Sequence, residues 1–423
     1  MIVYRSGWIF HPSFILHAAV VSGPWLASGA MRTSSPGEIL TTHTGSLPRP
    51  PELAEAMVAR ENGTADTATL EALPDMVRAA TTEVLRQQGA TGIDVGSDGE
   101  QGKIGYSTYV KERLSGFDGE AGALSLADLD DYPEITEQAL AGLVTATPAC
   151  SGPVRYTGAD ALAAELNDLR AAVDTVGTAG PAEVVVPAAS PGVISIFLAN
   201  QHYASHEDYL GALADAMRTE YEAIVDAGFL LQIDCPDLAM GRHAQHTDAN
   251  VDGFRRAIAG HVEALNAATA NIDPDRMRMH LCWGNYEGPH HRDVDLADII
   301  DIVLPARPRA LLMEAANPRH AHEWQIFADH PLPDDKILVP GVIDTCTNYI
   351  EHPDLIAERL TRYAHTVGVE RVIAGTDCGF STFASFTPVR PRIAWAKLAS
   401  LVEGARRASE SLRSPATTIG AHA

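Results

Sequence analysis

The chain has 423 residues, with 31 basic side chains against 55 acidic ones, a formal charge of −24, and 46% hydrophobic and 20% charged residues. That length holds one large domain or two ordinary ones, and the composition is globular rather than disordered. A surface so acidic repels nucleic acid and anionic lipid, which are gripped through Lys and Arg, so neither is an expected partner.

Near the N-terminus, SFILHAAVV is apolar and LASGA matches the loose pattern of a signal-peptidase site. Only Arg5 precedes the apolar stretch, however, which is too short to span a bilayer and is followed by Pro24. Residues 1–37 are read as an extension, disordered or upstream of the true start. From residue 38 onward, strand-like runs alternate with amphipathic helical stretches. The runs are 38–46, 91–100, 183–190, 229–237, 277–285, 310–316, 336–344 and 371–380. Several of the helical stretches end in Gly just before the next strand, the usual position for a helix stop. Alternation of β and α implies a parallel sheet, and eight units over 38–408 predict an α/β fold of the (β/α)₈ TIM-barrel type. A doubly wound open sheet is the alternative, weakened because no G-x-G-x-x-G follows the first strand. The segment 151–158, SGPVRYTG, reads as part of a hairpin inserted after the second βα unit, and 409–423 as a flexible tail.

Five cysteines, Cys150, Cys235, Cys282, Cys346 and Cys378, are odd in number and widely spaced. A disulfide framework is denser and usually even, so reduced thiols in a cytoplasmic enzyme are expected.

In a barrel, chemistry collects at the C-terminal strand ends. Those ends carry His43 and Ser46, Asp98 and Glu100, Asp234 and Asp237, His280 and Cys282, Glu314, Asp344, and Cys378. His280 and Cys282 are two apart on a strand, so both side chains point to one side. Imidazole and thiolate are good zinc donors, with bond lengths of about 2.0–2.3 Å. A lone H-x-C is more often a core thiol beside a satisfied histidine. A second Cys at 378 and a carboxylate at 314, in matching positions, favour a Zn²⁺ site made by His280, Cys282, Glu314 and Cys378. His290, His291, His320 and His322 form a competing group, expected mostly at the rim or in solvent.

The fragments TTHTGSLPRP, GSDGEQGK, QIDCPDL, HLCWGN, MEAANPR, VPGVIDT and GTDCGF resemble, in order and spacing, the C-terminal half of cobalamin-independent methionine synthase, over roughly residues 38–385. The resemblance implies a (β/α)₈ barrel whose zinc presents a thiol as thiolate to a methyl donor. It places His280, Cys282, Glu314 and Cys378 on the zinc ligands. Gly45 and Ser46 fall on the homocysteine-contacting turn, and Glu100 and Asp234 on the acids that hold the amino group of homocysteine. Asp344 and Cys346 fall at the proton-transfer position, where the family has a His and this chain has Cys346; a family Glu is likewise replaced by Cys235. The second, N-terminal barrel of the full family does not fit in this length.

The expectation is therefore a zinc-dependent S-methyltransferase, its partners a small-molecule thiol and an alkyl (methyl) donor. One alternative is thiol addition to an epoxide, similar to epoxyalkane:coenzyme M transferase, which would need Arg49, Lys103 or Arg242 for a sulfonate; a solvated-surface role is the stronger expectation for each of these. The other is a non-catalytic zinc-binding barrel. The sequence leaves the oligomeric state, the thiol and the donor open.

Overall fold

The structure, a computed structural model, describes residues 37–121, 124–139 and 147–414. The N-terminal stretch read as a leader or extension lies outside the described residues, apart from Gly37. Six parallel strands form one sheet in sequence order: β1 (Val95–Ser97), β2 (Glu183–Ala189), β3 (Leu230–Asp234), β4 (Met277–Leu281), β5 (Ala310–Glu314) and β6 (Ile337–Gly341). Each is followed by helical structure, as consecutive parallel strands require. Two further runs expected as strands contribute bridges rather than full ladders. Thr42 bridges Val95, Thr41 bridges Ala374, and Val372 and Gly375 bridge Leu338 and Gly341, all parallel. A local cause is visible: the Asp94 carboxylate takes both the backbone N–H of Thr41 (2.9 Å) and its hydroxyl (2.8 Å), diverting a ladder donor.

Strand periodicity sorts the side chains into two cores. Leu40, Val95, Val185, Leu230, Leu312, Val339 and Ile373 pack together on the concave side of the curled sheet. Their neighbours Val184, Leu231, Leu311 and Leu338 belong to the larger core shared with the helices. Two residues beyond Leu230 the inner side turns polar, where Arg278 of β4 donates to Gln232 (2.8 Å), Thr42 Oγ1 (2.7 Å) and the His43 carbonyl (2.8 Å). Two residues further still stand Asp234 and His280, aligned by the β3–β4 register. The sheet thus rises from an apolar layer through a polar layer to a rim of titratable side chains.

The inserted segment between β1 and β2 is larger than a hairpin. Arg155 and Tyr156 pair antiparallel with Leu114 and Ser115, and Pro148 and Ala149 with Gly119 and Glu120. Residues 151–158 are thus on the return arm of a long excursion that also carries short helices at Ala127–Asp130 and Pro133–Ala139. At the other end, the last helix runs Pro391–Arg413, into the stretch read as tail, and Ser409 Oγ accepts the backbone N–H of Ile39 (2.9 Å).

Candidate metal centre and its pocket

Three of the four expected metal ligands meet. Cys378 Sγ lies 3.2 Å from Cys282 Sγ and 3.6 Å from His280 Nε2, and the three side chains are buried. Bonds of about 2.0–2.3 Å in a tetrahedron put donor atoms about 3.5–3.8 Å apart, so the sulfur–nitrogen separation fits zinc as it stands and the sulfurs need only part slightly. His280 Nδ1 faces Asp234 Oδ1 at 3.5 Å, the arrangement in which a carboxylate orients a ligating imidazole. Burial, and then neighbouring Cys282, push the Cys378 thiol well above its ordinary range; two thiols held so close and dry need a cation before both ionise.

Glu314, the expected fourth ligand, does not join this group. Its carboxylate accepts the backbone N–H of Trp283 (2.8 Å) and the side-chain amide of Asn317 (3.0 Å). The cluster is further stiffened by Asp377, whose carboxylate accepts the N–H groups of Ala315, Ala316 and Asn317. Cys378 is thereby fixed relative to the end of β5.

The cluster forms one wall of a pocket that also contains Thr44, Ser46, Glu100 and Asp234. Glu100 has a backbone φ of 54°, strained for a non-glycine residue. That conformation sends its carboxylate against Gly45 (φ 49°), where any Cβ would collide with Glu100 Oε1. Gly45 itself does not line the pocket. Glu100 Oε2 is buried with no hydrogen-bond partner, and burial, reinforced by Asp234, raises this carboxyl to about 8. A buried oxygen lacking a partner beside a second carboxylate is a natural seat for an ammonium group.

The expected acid positions lie elsewhere. Asp344 and Cys346 line an adjoining groove that meets the pocket at Asn285 and Cys378. The Asp344 carboxylate accepts the backbone N–H of Cys346 (2.8 Å) and the Thr347 hydroxyl. The Cys346 thiol donates to Asn285 Oδ1 (3.2 Å). Cys235 is buried, its thiol on the carbonyl of Ile233 at 3.5 Å, and is absent from the pocket lining. His43 is held on Gln88 at 2.9 Å, and burial lowers it to about 4.

The expectations for the cations and for two of the histidines are corrected. Arg49 and Lys103 are buried rather than solvated. Arg49 donates to the carbonyls of Ser381, Glu100 and Lys103, and Lys103 to that of Pro187. Arg242 serves the carbonyls of His246 and Thr247. His290 and His320 are likewise buried, both on Asp293 Oδ2 at 3.0 and 2.9 Å, with His243 on its other oxygen at 3.3 Å. His291 pairs at the surface with Asp131 (2.8 Å), and His322 is exposed. The residues that sequence reasoning missed are the aromatic wall: Tyr106, Phe197, Tyr286, Phe383 and Phe386 all line the pocket. Only their spatial convergence marks them, and no local spacing does.

No known protein-family model matches the chain. It is similar to the methionine synthase of Saccharolobus solfataricus, at 24% identity over 380 residues, covering 88% of this chain and 96% of that protein. It also matches the 5-methyltetrahydropteroyltriglutamate–homocysteine methyltransferase of Nitratidesulfovibrio vulgaris at 27% identity, covering 87% of this chain and 41% of that one. Among solved structures, a B12-independent methionine synthase from Shewanella in complex with selenomethionine aligns with a TM-score of 0.67 at 19% identity, over 89% of this chain and 99% of that one. A putative counterpart from Listeria monocytogenes aligns at 0.61 and 18%, over 87% and 98%. These structures share the α/β fold.

Proposed function

We propose that this chain is a zinc-dependent S-methyltransferase, similar to methionine synthase, acting on homocysteine or a closely related aminothiol. The observation that carries the reading is one pocket holding both a His280–Cys282–Cys378 donor set and the partnerless carboxylate oxygen of Glu100. Zinc, when bound, supplies a thiolate at neutral pH from a thiol whose free pKa is about 8.5. His280, Cys282 and Cys378 hold the ion, with Glu314 available as fourth ligand after release from Trp283. Glu100 and Asp234 bind the substrate ammonium, and Ser46 with its neighbouring turn positions the substrate backbone. The sheet and its bridging segments are read as a closed eight-stranded barrel over residues 38–408.

The names of the curated relatives support methyl transfer to homocysteine in the same direction. Thiol addition to an epoxide with a sulfonate-bearing thiol is disfavoured, because Arg49, Lys103 and Arg242 are spent on backbone carbonyls. Among the described residues no helix is long and apolar enough to cross a membrane, and we place the enzyme in the cytoplasm with small-molecule partners. The test is zinc-edge absorption during titration with homocysteine. One added sulfur neighbour is expected; an unchanged spectrum with retained zinc would point to a structural ion instead.

A further inference from the structure

We propose that Asp128, on the segment inserted between β1 and β2, is a positioning residue that latches this segment to Tyr286, and that the latched segment sets how bulky a thiol the pocket admits. The proposal rests on the reading of the pocket as a thiol-binding metal site and adds the feature that selects among thiols.

The latch joins two distant stretches of chain at a buried contact. Tyr286 Oη donates to Asp128 Oδ2 at 2.5 Å, and the backbone N–H of His290 donates to the same oxygen at 3.2 Å. The other oxygen, Oδ1, accepts the N–H of Leu129 at 3.0 Å. Both Asp128 and Tyr286 are buried, so removing the carboxyl group leaves a phenol and an N–H without an acceptor in a dry place. Burial, and then Asp128, hold the Tyr286 phenol well above its ordinary range, so it stays a donor. The ring is gripped as well. It stacks on His290 at 4.4 Å, and a Cβ at Gly284 or Gly288 would fall 2.6 or 2.4 Å from it.

Tyr286 in turn connects the latch to the metal donors and to the pocket. Four residues before it stands Cys282, whose sulfur accepts the N–H of Gly284 at 3.2 Å. On the side of the insertion, Leu126 and Leu129 pack with Tyr286 in a small apolar cluster of their own, and Leu124 packs against it. Leu124 and Leu126 then line the same pocket as Tyr286, His280, Cys282 and Cys378. Neither leucine belongs to the sheet. Other ties of the inserted segment are two-residue ladders and the surface pairing of Asp131 with His291 and Arg292, and both kinds are weak. The buried Asp128 contact is therefore what fixes two leucine side chains in the wall. A wall packed in this way yields little, so it rejects a bulky ligand sterically.

The test uses the full chain loaded with Co²⁺ in place of zinc, whose thiolate-to-metal absorption reports each thiol as it binds. It is titrated with homocysteine and with glutathione, a much bulkier aminothiol. Wild-type protein is expected to prefer homocysteine roughly a hundredfold. Leu126→Ala and Asp128→Ala should each cut that preference roughly tenfold by gaining glutathione affinity, the scale of a few lost methylenes or one unsatisfied buried polar group. Tyr286→Phe, which removes only the hydroxyl, should move the ratio in the same direction. Asp128→Asn, whose side-chain carbonyl still accepts the phenol, should restore most of the preference. Equal binding of the two thiols by wild-type protein would overturn the proposal. So would variants that weaken both thiols alike, the result of a merely structural role; the homocysteine signal would then leave thiol activation standing. No absorbance gain with homocysteine in wild-type protein removes both readings. Retained cobalt absorption shows that a variant has folded, and Leu126→Ala and Tyr286→Phe carry the test if Asp128→Ala does not.

Discussion

Two buried polar clusters lie close together in this fold, and they differ in the kinds of groups they bring together. Around Asp293, the charge demand is met internally: His290 and His320 share one carboxylate oxygen, and His320 also reaches Glu323 at 2.9 Å. Trp283 stacks on His320 at 3.9 Å and Tyr286 on His290 at 4.4 Å. Burial opposes protonation, but Asp293 outweighs it and holds His290 at about 9 and His320 at about 10. Around Cys378, by contrast, two thiols and an imidazole converge in the pocket that also holds the partnerless oxygen of Glu100. The Asp293 cluster sets imidazoles against carboxylates, whereas the Cys378 cluster gathers side chains that are all good metal donors.

That contrast can be broken by substitution. Cys378→Ser should cost two to three orders of magnitude in zinc affinity, because a structural zinc contributes about 10–16 kcal/mol through four ligands. Metal analysis after dialysis reads this, and zinc retained at wild-type level would refute the assignment. Asp293→Asn should do the opposite: zinc stays, while stability to urea falls by about 3–5 kcal/mol, the penalty for breaking a buried ion pair. Glu100→Gln leaves the metal in place and raises the homocysteine KM about 10- to 100-fold, the worth of one charged hydrogen bond of about 1.5–3 kcal/mol. An unchanged KM would remove Glu100 from the site.

Acidity provides a finer discriminator. The folded pKa values of His290 and His320 lie above the ordinary 6.5. Their stabilisation is therefore complete below about pH 6.5 and is lost as pH rises through 9 to 10. The melting temperature should fall across that window, and His320→Gln should flatten the slope; an identical slope would exonerate the cluster. The smallest effect is expected at Cys346, half-buried and bonded to Asn285. Cys346→Ser should shift stability by no more than about 0.5 kcal/mol and kcat by less than a factor of three.

The sequence made the rim legible because strands advertise themselves. His280 and Cys282 on one side of β4, and the Gly-flanked Cys378, pair on spacing and strand position alone. The six central strands announced themselves in the same way through apolar runs. The side-chain competition by Asp94 that thins the ladder at Thr41 was hidden, because it depends on a contact 53 residues away. Glu314 illustrates another limit: its position on β5 is a strand-end pattern, but its preference for the Trp283 amide is decided by packing. Burial of Arg49 and Lys103 was equally invisible, since a cation that serves carbonyls has the same letter as one in water. The aromatic wall escaped because its members come from four separate segments.

The bond from Ile39 to Ser409 spans 370 positions of the chain, and Cys378 reaches its partner Cys282 across 96. A nascent polypeptide emerging from the ribosome therefore exposes His280 and Cys282 long before Cys378 exists to join them. A metal held by all three side chains could be captured only after that last segment is made, and contacts of such sequence separation are slow to form.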